Sequence, residues 1–253
     1  MNDFDVTAGG AEPDAADLLR SSDVMVRRGE ARPVPMTVSA PADACELVWY
    51  AAYGSNLYAA RLRYYLAGGR PPGARRVLPG CRDASEPLAT APVMLPGGIY
   101  FALESSQWAG GMAMYDPQLP GTVAARAYLM TAGQFADVVA QEMYREPGVD
   151  LDVLDDVVRH GRVQLGPGRY ETLVCAGARD GHPIFTFTAP WSAAEVTPNA
   201  PAAAYLRMLV GGLHESHRWD REQIASYLHA RPGVAGAWTM AELLALADEL
   251  TGT

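Results

Sequence analysis

Two stretches of this chain carry residue types that could do chemistry together. The first is Tyr53-Gly54-Ser55-Asn56-Leu57. Val48, Trp49, Tyr50, Ala51 and Ala52 just before it form an unbroken apolar run, the pattern of a buried strand. Gly54 can adopt backbone angles closed to other residues, and Ser55 and Asn56 are favoured helix N-caps. Leu57, Arg61, Leu62, Tyr65 and Leu66 then continue with helical spacing to a stop at Gly68-Gly69. A strand, a tight turn and a helix start direct several backbone N–H groups at one spot. Such a spot suits an anion or a carbonyl oxygen.

The second stretch ends at Glu142. Thr131 with Gln134 three residues on makes a capping box, so a helix begins at Ala132. Phe135, Val138 and Val139 form its apolar stripe, and one further turn lands on Glu142. A carboxylate facing a core is costly unless it is paired or used. Burial would raise its pKa toward the range of a general base or acid. Three readings stay open on periodicity: proton transfer, a structural ion pair with Arg126 or Arg145, or an edge position with partial exposure. Glu146 lies on another helix face, where solvent is expected.

Other chemistries have less to stand on. All 20 basic residues are arginine, so Schiff-base catalysis and a P-loop, which need lysine, are excluded. The five histidines lie at 160, 182, 214, 217 and 229, and His214-Glu215-Ser216-His217 lacks the HExxH spacing of a zinc helix. Cys45, Cys81 and Cys175 are far apart with no CxxC among them, which fits a reducing cytoplasm rather than a disulfide framework. Cys175 falls mid-strand and none of the three has a histidine beside it. A net charge of −9 argues against a nucleic-acid surface. No run approaches 18 apolar residues and no basic-then-apolar leader opens the chain, so a cytoplasmic protein is expected.

The elements that must position these residues read as α+β. Residues 1–44 are rich in Ala, Asp, Gly and Pro and read as a flexible tail, with a short turn near Leu18-Leu19 and a second possible start at Met36. One domain is expected over 45–253. Residues 68–97 look like loop beyond the first helix, and strands are expected over Gly98–Leu103 and Gly111–Tyr115. From Thr122 to Leu129 apolar and other residues alternate, as in a half-buried strand. A helix through Leu151, Leu154, Val157 and Val158 closes at Gly161, and strands follow over Tyr170–Ala176 and Ile184–Thr188. Pro201, the capping box Asp220/Gln223 and Thr239 open three C-terminal helices.

Tyr50-Ala51-Ala52-Tyr53-Gly54-Ser55-Asn56-Leu57 resembles the signature of the γ-glutamylcyclotransferase-like family, which includes AIG2-like proteins. The run from Tyr128-Leu129-Met130-Thr131 to Gln141-Glu142 is similar to the strand and helix that supply that family's catalytic glutamate. Gly110-Gly111 and Gly168-Arg169-Tyr170 also match, and the resemblance covers roughly residues 47–190. It implies a small mixed β-barrel flanked by helices, here with extra C-terminal helices. It implies an enzyme that cyclises a γ-glutamyl amine or peptide to 5-oxoproline and a free amine, with neither metal nor organic cofactor. Glu142 would be the proton shuttle. The N–H groups around Gly54, Ser55, Asn56 and Leu57 would hold the substrate carboxylate or carbonyl, with Tyr53 shaping the pocket and Tyr170 reaching the ligand.

The segment Val149 to Gly166 departs from the compact family pattern, and a role in lidding or reshaping the pocket is expected of it. The partner expected is a small γ-glutamyl molecule, not nucleic acid or membrane; the leaving amine and the oligomeric state stay open. The alternative is a non-catalytic binding protein that keeps the carboxylate-holding loop.

Overall fold

The structure, a computed structural model, describes residues 46–71 and 76–251. The tail expected over 1–44, its turn near Leu18-Leu19, Met36 and Cys45 lie outside the described residues. At the centre is β1 (Leu47–Ala52). It pairs antiparallel with β5 (Thr122–Thr131) on one side and parallel with β8 (His182–Thr188) on the other. With β2 (Ala89–Pro96), β6 (Arg162–Gln164) and β7 (Thr172–Arg179) they form a six-stranded mixed sheet in the order β2-β5-β1-β8-β7-β6. A separate hairpin, β3 (Gly98–Ala102) and β4 (Met112–Asp116), leans on the sheet. There the Thr188 hydroxyl accepts from the Tyr115 N–H at 3.0 Å. The helices are α1 (Ala59–Ala67), α2 (Ala132–Glu142), α3 (Leu154–His160), α4 (Ala203–His217), α5 (Arg221–His229) and α6 (Met240–Thr251). The fold is α+β, as expected. No helix among the described residues is long and apolar enough to cross a membrane.

Alternation along β1 explains how these layers meet. Successive side chains of a strand point to opposite faces. Trp49, Ala51 and Tyr53 pack against α4, α5 and α6 through Leu209, Ile224 and Leu243. Val48, Tyr50 and Ala52 pack against α1 and α2 through Leu62, Phe135 and Val138. Because both faces are covered, β1 reads as a continuous apolar run. β5 is likewise buried on both faces, Ala124 and Tyr128 included, so its expected half-exposure is corrected.

The stretch 68–97, expected to be loop, contains β2. Its Ala91, Val93 and Leu95 are buried in alternation, and Pro92 is tolerated because β2 is an edge strand. Gly68 (φ +77°) and Gly161 (φ +75°) end α1 and α3 as expected.

Candidate active site

The turn after β1 is tighter than its sequence implies. Ser55–Leu57 form a single 3-10 turn, with the Leu57 N–H on the Gly54 carbonyl at 3.0 Å and the Tyr58 N–H on that of Ser55 at 3.2 Å. Neither Ser55 nor Asn56 caps α1, because the 3-10 turn displaces the helix start to Ala59. Tyr58 takes the N-cap position with no side-chain bond, and Glu215 on α4 accepts the Ala59 N–H at 3.2 Å instead. Gly54 sits at φ −102°, outside the left-handed region, so its expected conformational role is corrected. Closeness is the reason for a glycine here: a Cβ would stand 3.1 Å from the Tyr205 hydroxyl. That hydroxyl accepts the Ala113 N–H at 3.3 Å. The Tyr128 hydroxyl donates to the Asn56 carbonyl at 2.8 Å and ties the turn to β5.

Glu142 closes α2, whose capping box between Thr131 and Gln134 is present. Its Oε1 accepts from Asn56 Nδ2 at 3.2 Å, and the same amide nitrogen reaches the Tyr50 hydroxyl at 3.3 Å. The Tyr65 hydroxyl also bonds the carboxylate. Burial raises the Glu142 pKa above the ordinary carboxylate value, opposed by the bond from Tyr65, the Arg61 charge and the bond from Asn56. The two ion-pair partners considered for it are engaged elsewhere. Arg126 binds Glu215 at 2.8 Å, and Arg145 binds Glu171. Glu146 is exposed.

Glu142 and the turn face each other across a cavity of about 250 Å³. Tyr53, Gly54, Ser55, Asn56, Glu142 and Tyr170 all line it. The hydroxyl of Tyr53 donates to the Phe187 carbonyl at 2.8 Å, and that of Tyr170 to the Ala113 carbonyl at 3.2 Å, so both tyrosines are held by the frame. Leu57 is the exception among the expected contacts. Its N–H is engaged in the turn and its side chain lies in the core, packed against Gly212 of α4. The Val149–Gly166 segment contributes no wall to the cavity, so the expected lid is not found there. Residues 105–108, between β3 and β4, stand at the cavity instead.

Several lining residues escaped the sequence reading. Arg61 is buried on the wall, and an arginine within the apolar stripe of α1 was a usable signal for it. Tyr144 (φ +58°) lies between the guanidinium groups of Arg76 and Arg169, 4.7 Å and 5.0 Å from its ring centroid. Arg169 also donates to its hydroxyl at 2.7 Å. Nothing local marks that stack, because its three members come from separate loops. Tyr205 arrives from α4, well beyond the stretch covered by the family resemblance.

Thiol chemistry is disfavoured by the surroundings of both described cysteines. Burial, then the charge of Asp137, pushes Cys81 up to about 12, and burial raises Cys175. Among the described residues, no three His, Cys, Asp or Glu side chains are grouped as metal ligands would be.

No family model matches the chain. Gamma-glutamyl cyclotransferase is among the solved structures it resembles. That likeness has a TM-score of 0.41 and 15% identity, covering 81% of this chain and 99% of the other. An uncharacterised human protein is similar at a TM-score of 0.44 and 18% identity, over 79% of this chain and 99% of that one. YkqA from Bacillus subtilis is similar at 0.38 and 16%, over 74% of this chain and 55% of that one. Among curated proteins, histone deacetylase 5 of Arabidopsis thaliana is 33% identical over 212 residues, which is 77% of this chain. The chain spans 32% of the length of that relative.

Proposed function

We propose that this protein is a γ-glutamylcyclotransferase-like enzyme, and that residues 45–253 form its catalytic domain. The observation that carries this reading is the Glu142 carboxylate, raised in pKa by burial and bonded at 3.2 Å to Asn56 of the turn that shares its cavity. In the reaction the free α-amine of a γ-glutamyl compound attacks its own γ-carbonyl. One C–N bond forms, the amide C–N bond breaks, and 5-oxoproline leaves together with an amine. Glu142 takes the proton from the attacking amine and returns it to the departing nitrogen, so no net proton is consumed. A raised pKa brings the carboxyl closer to the amide nitrogen it must protonate while still allowing it to act as a base.

The carbonyl oxygen gains charge at the tetrahedral stage and needs preorganised donors. With the Leu57 N–H bonded within the turn, this role goes to the N–H groups of Gly54, Ser55 and Asn56. Walls braced by Tyr53 and Tyr170 keep the substrate chain folded for ring closure, an orientation effect. The scheme calls on neither metal nor cofactor, and a cytoplasmic location and a small-molecule partner belong to the same proposal.

Deacetylation, which the plant relative's name carries, belongs to a protein of which this chain spans only about a third. It has no grouped ligand set to stand on among the described residues.

The test is release of 5-oxoproline from a panel of γ-glutamyl amino acids, amines and small peptides, with wild type beside Glu142→Gln. Release by wild type alone is expected. Equal release by both would remove Glu142 from the mechanism. No release from any member, with 5-oxoproline still bound, would favour the non-catalytic binding protein.

A further inference from the structure

Three arginines line the cavity and this reaction scheme uses none of them; Arg76 donates to the Gln141 carbonyl at 3.1 Å and Arg169 to the Tyr144 hydroxyl at 2.7 Å, which leaves Arg61. It lies in the first turn of α1 and is only 8% exposed. Its Nε and Nη1 are buried without a hydrogen-bond partner. The guanidinium sits 5.0 Å from the ring centroid of Tyr65 and 6.0 Å from that of Trp108. Arg82, Arg126 and Arg145, by contrast, each reach a carboxylate. Ring faces supply part of what water gave the cation, but they leave its N–H groups unmet. A buried cation so placed is stable at low cost only when an anion completes it, and its fork matches a carboxylate.

We propose that Arg61 is the receptor for a ligand carboxylate, the α-carboxylate of the γ-glutamyl unit. The assignment rests on the cyclotransferase reading and divides the labour within it: carboxylate to Arg61, carbonyl oxygen to the turn. Tyr65 links Arg61 to Glu142, with Arg61 over its ring and its hydroxyl on Glu142. An α-carbon carries its carboxylate and its amine side by side. A γ-glutamyl unit anchored on Arg61 therefore presents that amine on the Glu142 side.

Calorimetric titration of the 253-residue chain tests this with three probes. 5-Oxoproline keeps the carboxylate, 2-pyrrolidinone is the same ring without it, and glutarate is a carboxylate that the reaction does not make. The first and third are expected to bind at least tenfold more tightly than the second. Arg61→Met is expected to weaken both carboxylates tenfold or more, leave 2-pyrrolidinone unchanged, and melt at or above the wild-type temperature without ligand. A lower melting temperature with unchanged carboxylate binding would make Arg61 a structural partner of Tyr65 and Trp108 and overturn the assignment, as would failure of both carboxylates to bind wild type. If Arg61→Met does not fold, Arg61→Lys decides by the 5-oxoproline to 2-pyrrolidinone affinity ratio: a fall supports the role and an unchanged ratio overturns it. The two proposals fail separately. Arg61-dependent glutarate binding without turnover of any γ-glutamyl compound would sink cyclotransfer alone. Turnover with the same KM in wild type and Arg61→Met would sink the carboxylate receptor alone.

Discussion

Glu142 and Asn56 share one 3.2 Å hydrogen bond, and each constrains what the other can do. Burial raises the Glu142 pKa, so the folded protein holds that proton more tightly than the unfolded chain. Glu142 therefore favours folding at low pH, and that contribution is lost as pH rises through the folded value. Glu142→Gln should melt above wild type at about pH 8, with the gap closing toward about pH 4 as the unfolded carboxyl also protonates. A thermal scan across pH checks this. In catalysis the base must be ionised, so kcat/KM should fall on the acid side with a midpoint above 4.5, and Glu142→Gln should lose roughly 10²- to 10⁴-fold in kcat. Asn56→Ala removes a donor to the carboxylate. It should shift that acid limb to higher pH and reduce kcat by about 10- to 100-fold, since a hydrogen bond to a charged group contributes about 1.5–3 kcal/mol. An unmoved limb would mean that Asn56 does not tune Glu142. Glu142 itself was legible because a stripe of period 3.6 ends on it. Asn56 was legible as a turn residue, but its bond to a carboxylate 86 positions away was not.

At the scale of elements, α4 holds the turn as firmly as β1 does. A Cβ on Gly212 would meet Leu57 C at 2.6 Å and Tyr58 N at 2.7 Å. Glu215 of the same helix accepts the Ala59 N–H and binds Arg126. Alanine normally favours a helix over glycine by about 1 kcal/mol. Gly212→Ala should nevertheless destabilise by about 1–3 kcal/mol and lower kcat, because the added methyl pushes on backbone that cannot yield cheaply. A stability gain in chemical denaturation would contradict that contact. The other element at the site, α2, is anchored by Asp137. It is buried and accepts from the Arg82 side chain and from the N–H groups of Arg82 and Gly148. Asp137→Ala should lose about 2 kcal/mol or more of stability, measured as a lowered denaturation midpoint. The start of α2 could be read from Thr131 and Gln134 because a capping box is local. The start of α1 could not, because its cap comes from Glu215, 156 positions away.

At the scale of the molecule, the helices that looked like a C-terminal addition form one of the two layers over the sheet. Trp49, Ala51 and Tyr53 have α4, α5 and α6 as their cover. A chain ending at Ala200 would expose that face of β1, remove Tyr205 from the cavity wall, and remove Gly212 and Glu215 from behind the turn. It should lose cooperative thermal unfolding by circular dichroism, and binding of 5-oxoproline with it. A cooperative transition that persisted would return those helices to the status of an appendage.

What the sequence determined by itself was everything that depends on neighbours a few residues apart. β1 as a buried run, the glycine stops of α1 and α3, the capping boxes of α2 and α5 and the inward position of Glu142 all follow from local backbone preference and side-chain period. β2 hid behind Pro92 because only pairing on the outer side of β5 makes a proline strand tolerable. The conformation of Gly54, the cap of α1, the Tyr144 stack and the unmet guanidinium of Arg61 were decided by tertiary structure alone. Each depends on groups that meet from distant parts of the chain, and the burial that changes their chemistry exists only once the layers have closed.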